Sequence, residues 1–377
     1  MNILIFTYDY SEKTLASSFR MRNVVSFYKK CDYTVKVISA THDNQQEVIS
    51  IDSEFIEKRN LFSKIYLRAF YYPDPMAYWV KKVINFLKNN ISIVENADKI
   101  IVSSPPHSLQ IIALWIKSRY PNKQVISDFR DAFVTNHRMR WYTPMHRQYA
   151  KKMELEIFKK IDCIIANTKT MKKDFIEKYN SYADKVIYIP NGYVYTENNI
   201  SEKTSNENIV IGYFGDSYGE QVSNIIYSNV KNSFERNNIT FLTAGKGDWN
   251  LNEKSNKKLW KHLGIIKQEE VKLAISSCDI LLLIMPKGEK EPSPTIPLKA
   301  YEYLSSNKVI LYFGPKGDCY DLLLSYSNSY CFSLEKASDL YSIIDKIKIE
   351  NQPRLDFIEK FNFEKIAFNL INMKDFS

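Results

Sequence analysis

Residues 278–304 read CDILLLIMPKGEKEPSPTIPLKAYEYL. Ile280 to Ile284 form an unbroken apolar run closed by a proline at 286, the pattern of a short strand buried on both faces. Prolines at 292, 294 and 297 stiffen the stretch that follows, and Leu298, Tyr301 and Leu304 then recur at helical spacing. Proline suits the first helical position, where its missing N–H would have no partner and its φ is already helical, so Pro297 is expected to open the helix, after Thr295 or Ile296. A strand, a stiff loop and a helix in succession aim free backbone N–H groups at whatever lies above the sheet edge. A helix N-terminus favours anions through its charge and its unfilled donors, which makes phosphate the expected guest. Lys299 and Glu302 lie inside this helix.

Short β-branched runs recur on both sides. In the first half they are NILIF (2–6), TVKVIS (34–39), KIIVSS (99–104), QVISD (124–128), CIIAN (163–167) and KVIYIP (185–190), with helical patterns at 17–30, 107–119, 145–160 and 168–179 between several of them. Strands alternating with helices predict a parallel sheet with crossover helices. The polar stretch 191–208 lacks apolar periodicity and is expected to be a linker. The alternation restarts with IVIGYFG (209–215), TFLTAG (240–245), DILLLIM (279–285), KVILYFG (308–314) and SYCFS (329–333). The expected fold is therefore α/β, with two Rossmann-like doubly wound domains, 1–190 and 209–355, facing across a cleft. A single amphipathic helix within 356–377 is expected to return to the first domain. Ligands of such sheets bind beyond the carboxyl ends of the strands.

The chain has 377 residues, enough for two cores, with 45% hydrophobic and 25% charged residues. Its five cysteines show no CxxC spacing, which argues against a disulfide framework or a thiolate metal site and for a reducing compartment. MNILIFTYDY meets Asp9 without a basic leader and reads as a first strand. No apolar run approaches the roughly 18 residues of a spanning helix. Residues 1–190 carry 30 Lys+Arg against 19 Asp+Glu, whereas residues 191–377 carry 22 against 24, so the whole positive excess lies in the first half. Such asymmetry points to an anionic partner.

Several stretches, in their order, resemble the family 4 retaining glycosyltransferases of the GT-B fold. SSPPHS (103–108) followed by SDFRDAF (127–133) resembles the family's first-domain segment with an Arg-Asp-aromatic motif after a strand. KVIYIPNG (185–192) resembles the segment that closes that domain, and PLKAYEYLSSNKVILYFG (297–314) resembles the family's P-S-K-x-x-E-Y-L-x-x-G-K-P-V signature. Here Leu298 replaces the serine and Asn307 the glycine, and Ile310 stands near the usual Pro-Val. The resemblance implies that Glu302 accepts the two ribose hydroxyls of a nucleotide, which a carboxylate can do because both oxygens accept. It implies that Thr295 and Ile296 present loop amides to the diphosphate, with Lys299, Lys246 of TAGKGDW (243–249) and Gly215 beside it. Pro294 stands where the family often has a second glutamate near the donor sugar.

In the first half, Arg130 and Asp131 follow a strand, where they either form a turn salt bridge or orient an acceptor. His107 follows two prolines at a strand–helix junction, a position where catalytic residues concentrate, and the resemblance places a histidine near the donor sugar. Arg20, just after the first β–α loop, is a candidate for an acceptor or its phosphate. Residues 132–153 contain Arg138, Arg140, Arg147, Lys151 and Lys152, no acid, and interleaved Trp141, Tyr142, Met145 and Tyr149, a composition suited to an anionic membrane surface. The stretch 64–90 repeats this character. Basic–aromatic interleaving also suits single-stranded nucleic acid, but no nucleic-acid module is present and none is expected as partner. Taken together, these readings predict a retaining, hexosyltransferase-type enzyme that uses a UDP- or GDP-sugar without a cofactor or metal. Its expected acceptor is a polyprenyl-diphosphate-linked glycan of surface-polysaccharide synthesis, met at the inner face of the cytoplasmic membrane. The alternative is a non-catalytic GT-B partner or scaffold in a glycan-assembly complex.

Overall fold

The computed structural model describes residues 1–11, 15–53, 61–136, 139, 141–194, 208–217, 221–232, 238–247, 249, 259–285, 291–349 and 354–376. Most of the expected linker (195–207), together with Arg138 and Arg140, lies outside the described residues.

The β-branched runs of the first half form a seven-stranded sheet of β1 (Asn2–Phe6), β2 (Thr34–Ser39), β3 (Val48–Ser50), β4 (Lys99–Ser104), β5 (Gln124–Phe129), β6 (Cys163–Ala166) and β7 (Val186–Tyr188). Its order is β3-β2-β1-β4-β5-β6-β7, and every pairing is parallel. The second half forms a six-stranded sheet of β8 (Ile209–Phe214), β9 (Ile239–Ala244), β10 (Trp260–His262), β11 (Ile280–Ile284), β12 (Val309–Phe313) and β13 (Ser329–Phe332), in the order β10-β9-β8-β11-β12-β13. All its pairings are parallel too. Parallel neighbours need crossovers, and helices such as Gln110–Arg119, Pro144–Lys160, Gln268–Ser276 and Leu298–Ser305 supply them. β11 and β12 are buried at every position, as their unbroken apolar runs require. These are two Rossmann-like doubly wound sheets, the architecture of the GT-B fold.

The chain divides into one unit of residues 1–192 and 363–377 and a second of 193–362. The expected single tail helix is corrected to two, Leu355–Lys360 and Phe363–Asn372. The break has a cause in pairing: the N–H of Tyr193 donates to Phe361 O at 3.1 Å, and Tyr193 bridges to Asn362 in parallel. The first helix stays with the second unit, where Phe357 is buried and stacks on Tyr193 and Phe361. The second packs on Leu15–Lys30 of the first unit, with Tyr28 Oη donating to Ala367 O at 3.0 Å and Phe19 meeting Phe363 edge-on at 5.3 Å. Asn307, which replaces the family's glycine, sits just past the helix Leu298–Ser305 with φ 59°, the left-handed conformation that asparagine tolerates better than most residues.

Candidate functional site

In the second unit the candidate residues gather at the carboxyl ends of β8, β9 and β11. Gly215 leaves β8 and Gly245 leaves β9, and the two loops close on each other. The N–H of Gly215 donates to Ala244 O at 2.8 Å, that of Lys246 to Asp216 Oδ1 at 3.3 Å, and that of Ser217 to Lys246 O at 2.9 Å. A Cβ on Gly245 would lie 2.0 Å from Gly215 O, and its φ of 140° disfavours any side chain, so glycine is required there. The side chain of Lys246 is exposed above this seam.

The proline-rich loop is tied to the exit of β12. Ser293 donates its N–H to Lys316 O at 2.8 Å and accepts from the N–H of Asp318 at 2.9 Å, while the Glu291 carboxylate accepts from the N–H of Lys316 at 3.1 Å. The N–H of Thr295 turns inward to Ser293 Oγ at 3.3 Å, so this amide, expected at the diphosphate, is engaged within its own loop. Ile296 is half-buried. The expected helix start moves by one residue: Pro297 is extended (ψ 145°) and caps the helix, which begins at Leu298.

Lys299 and Glu302 lie one turn apart on this helix. Lys299 Nζ is enclosed without a hydrogen-bond partner and rests over the Tyr213 ring, 4.1 Å from its centroid. Gly215 gives it room, since a Cβ there would lie 3.0 Å from Nζ. Burial pulls the ammonium down to about 7, against the opposing pull of Cys319, Asp216 and Glu302. Burial raises the Glu302 carboxyl above its usual range, opposed by a hydrogen bond from Gln268 and by Lys272 and Lys299. An enclosed cation without a partner, beside a half-buried carboxylate at the carboxyl edge of a parallel sheet, is chemically matched to an anion joined to a polyol.

In the first unit β4 runs into the turn Ser104–His107 through two successive cis prolines. Arg130 holds that turn, its guanidinium donating to Ser104 O at 3.4 Å, to Pro105 O at 2.8 Å and to Ser17 O. His107 is buried and stacks on Phe133 with ring centroids 4.4 Å apart, leaving Nδ1 without a partner. Burial, then the nearby Arg130 charge, pulls the imidazole down to about 3, so it is neutral at physiological pH. Asp131, next to Arg130 in sequence, is exposed. Sequence reading missed Asp74, which caps the His107 turn by accepting from Ser108 N at 2.9 Å and Ser108 Oγ at 2.8 Å. The only hint was the Pro-Asp-Pro triplet at 73–75.

Arg20 is corrected. It is 2% exposed, and all five of its N–H donors are spent inside the unit. They go to both Asp128 oxygens at 3.0 and 3.2 Å, Pro190 O at 2.5 Å, and Ile189 O and Asn191 Oδ1 at 3.3 Å each. Nothing is left for an acceptor phosphate. Trp141 is corrected in part: it is half-buried and packs against the core, 6.0 Å from the Phe133 ring. Arg147, Lys151 and Lys152 are exposed on the helix Pro144–Lys160, alongside exposed Tyr142, Met145 and Tyr149. Tyr66 and Phe70 of the helix Leu61–Phe70 extend that surface, and Arg68 from the same helix lies over the Tyr142 ring at 5.1 Å. Among the described residues, no helix is long and apolar enough to cross a membrane.

Comparison with known proteins supports the fold. Residues 20–195 match the family model described as Glycosyltransferase Family 4. That match covers a little under half of the chain. The chain matches the crystal structure of a glycosyltransferase from Rickettsia africae ESF-5 with a TM-score of 0.65 and 13% identity, covering 99% of this chain and 97% of that one. It matches the crystal structure of TarM with a TM-score of 0.65 and 10% identity, covering 99% and 98%. A structure described as trehalose-6-phosphate from E. coli bound with UDP-2-fluoro glucose matches with a TM-score of 0.63 and 9% identity, covering 99% and 98%. Among curated protein sequences none matches the chain.

Proposed function

We propose that the chain belongs to this family and is a glycosyltransferase that moves a sugar from a UDP- or GDP-linked donor to a glycan acceptor carried on a polyprenyl diphosphate. The observation that carries this reading is the enclosed, unpartnered Lys299 ammonium beside Glu302. The donor diphosphate supplies the missing partner of Lys299, and the nucleotide ribose supplies two hydroxyls to Glu302. Transfer proceeds with retention, as the family resemblance implies. The bond from the anomeric carbon to the diphosphate breaks, the acceptor oxygen bonds to that carbon on the same face, and the acceptor proton passes to the departing diphosphate. Lys299 and the exposed Lys246 stabilise the growing charge without a metal ion.

The test is calorimetric binding of UDP-glucose and GDP-glucose in buffers of different ionisation enthalpy. Their diphosphate does not titrate near neutrality, so proton uptake reports on the protein. Bound diphosphate requires the ammonium, whereas free Lys299 sheds its proton as pH rises through about 7. Binding at pH 7 is therefore expected to take up about half a proton, and affinity falls as pH rises above 7. Lys299→Met removes the uptake and weakens binding. Uptake that persists in that variant removes Lys299 from the phosphate site; no binding of either nucleotide sugar at millimolar concentration removes the donor reading. Pro294, at the place of the family's second glutamate, favours a second reading as a non-catalytic scaffold, which is selected by nucleotide-sugar binding without transfer to any lipid-linked acceptor.

The proposed acceptor places the enzyme on the inner face of the cytoplasmic membrane. Arg147, Lys151 and Lys152, with Tyr142, Met145 and Tyr149 exposed among them, support that docking. Each basic residue near an anionic surface contributes on the order of 1 kcal/mol. The triple variant Arg147→Ser/Lys151→Ser/Lys152→Ser is thus expected to bind phosphatidylglycerol vesicles about a hundredfold more weakly in sedimentation. Unchanged partitioning would move the docking surface elsewhere.

A further inference from the structure

Glu302 does not stand alone in its site. Gln268 opens the helix Gln268–Ser276 on the crossover from β10 to β11, and its Nε2 donates to Glu302 Oε1. The start of that helix is itself fixed, because Glu270 Oε2 accepts the N–H of Lys267 at 2.7 Å. The amide therefore reaches the carboxylate from a rigid element 34 residues away in sequence. The cations acting on this carboxylate are Lys272, on the same helix as Gln268, and Lys299, on the helix of Glu302.

We infer that Gln268 is a positioning residue for nucleotide binding, fixing the plane of the Glu302 carboxylate so that its remaining lone pairs meet two vicinal hydroxyls and discriminate ribose from deoxyribose. The inference rests on reading Glu302 as the ribose-binding carboxylate. An ionised carboxylate offers about four acceptor positions. Gln268 takes one, and three remain for two hydroxyls. A neutral amide orients the group without cancelling its charge, which a lysine at 268 would do. With the amide gone, the plane of the carboxylate is no longer fixed against the two hydroxyls. Gln268 also favours the ionised carboxylate against the effect of burial. A competent site needs that ionised form, so removing Gln268 moves the acid limit of nucleotide binding to higher pH.

Two measurements on the full chain test this. The first titrates Glu302 in the free protein by carboxyl-carbon NMR of labelled glutamate, the resonance being identified by its loss in Glu302→Gln. Gln268→Ala is expected to shift the titration midpoint to higher pH, and Gln268→Glu to shift it further. The second compares UDP with 2′-deoxy-UDP, and GDP with 2′-deoxy-GDP, by calorimetry. Gln268→Ala is expected to cut the ribose preference about five- to tenfold while thermal stability stays within a few degrees of wild type. An unmoved midpoint overturns the positioning role whether or not a nucleotide binds. A shifted midpoint with an unchanged ribose preference keeps the contact but overturns its part in discrimination. A shifted midpoint with no nucleotide binding to wild type keeps the positioning of Glu302 and overturns its assignment to ribose.

Discussion

Asp128→Ala is expected to destabilise the first unit by about 3–5 kcal/mol, the cost of stranding a buried guanidinium by removing its partner. Asp128 is fully enclosed and accepts two bonds from Arg20 and one from Ser103 Oγ at 2.8 Å. Its removal leaves the Arg20 charge facing only carbonyl and amide oxygens of residues 189–191, which cannot neutralise it. Against a typical total of about 5–15 kcal/mol, that loss removes a large part of the unit's stability. The double variant Arg20→Met/Asp128→Leu is expected to recover much of it, because a buried ion pair replaced by apolar groups of similar volume is often nearly neutral. Hydrogen exchange in the full chain reads the effect locally, as faster exchange in β5 and β7 with unchanged protection in β11 and β12. A loss below about 1 kcal/mol in Asp128→Ala would mean that water reaches Arg20 and that its enclosure is incomplete.

Glu302→Ala is expected to weaken UDP or GDP binding roughly ten- to two-hundred-fold. A hydrogen bond to a buried charged group is typically worth about 1.5–3 kcal/mol, and each 1.4 kcal/mol is a factor of ten. Glu302→Gln falls between wild type and alanine, since one oxygen still accepts while the charge is gone. The nucleotide whose affinity responds names the donor class. Equal affinities in all three proteins would place the nucleotide elsewhere, and Lys299 would then need another anion.

Much of the fold was legible because parallel sheets leave a plain trace. Ile280–Ile284 and Val309–Phe313 are buried on both faces, so they are written in consecutive apolar residues that no amphipathic helix would carry. The strands that escaped notice, Val48–Ser50 and Trp260–His262, are three residues long and lie at the sheet edges, where one side is free of pairing and the apolar signal is thin. Part of the site was legible for a different reason: the PLKAYEYL register fixes Lys299 and Glu302 on one helix. What could not be read is which long-range partner each polar group finds. Arg20 looks like any helix arginine until Asp128, 108 residues later, closes over it. Trp141 sits in a basic–aromatic segment yet packs one side against the core, because alternation in a non-helical stretch does not say which side is in. The Gln268–Glu302 contact joins two crossovers and has no local signature at all.

The tail has a consequence for biosynthesis. Residues 363–376 complete the first unit: Tyr28 bonds to Ala367, the N–H of Phe376 donates to Tyr188 O at 2.9 Å, and Asp375 accepts from the N–H of Tyr188 at 2.6 Å and pairs with Lys172 at 2.8 Å. On a ribosome these residues emerge after the whole of 193–362. The second unit, contiguous in sequence, can close as it is made. The first must wait, with the flank of its helix Leu15–Lys30 and the edge of β7 uncovered, while about 170 further residues are added at roughly 5–20 per second. The unit begun first is thus finished last, and for those seconds its unpaired surface is where a nascent chain of this protein is open to a chaperone or to another copy of itself.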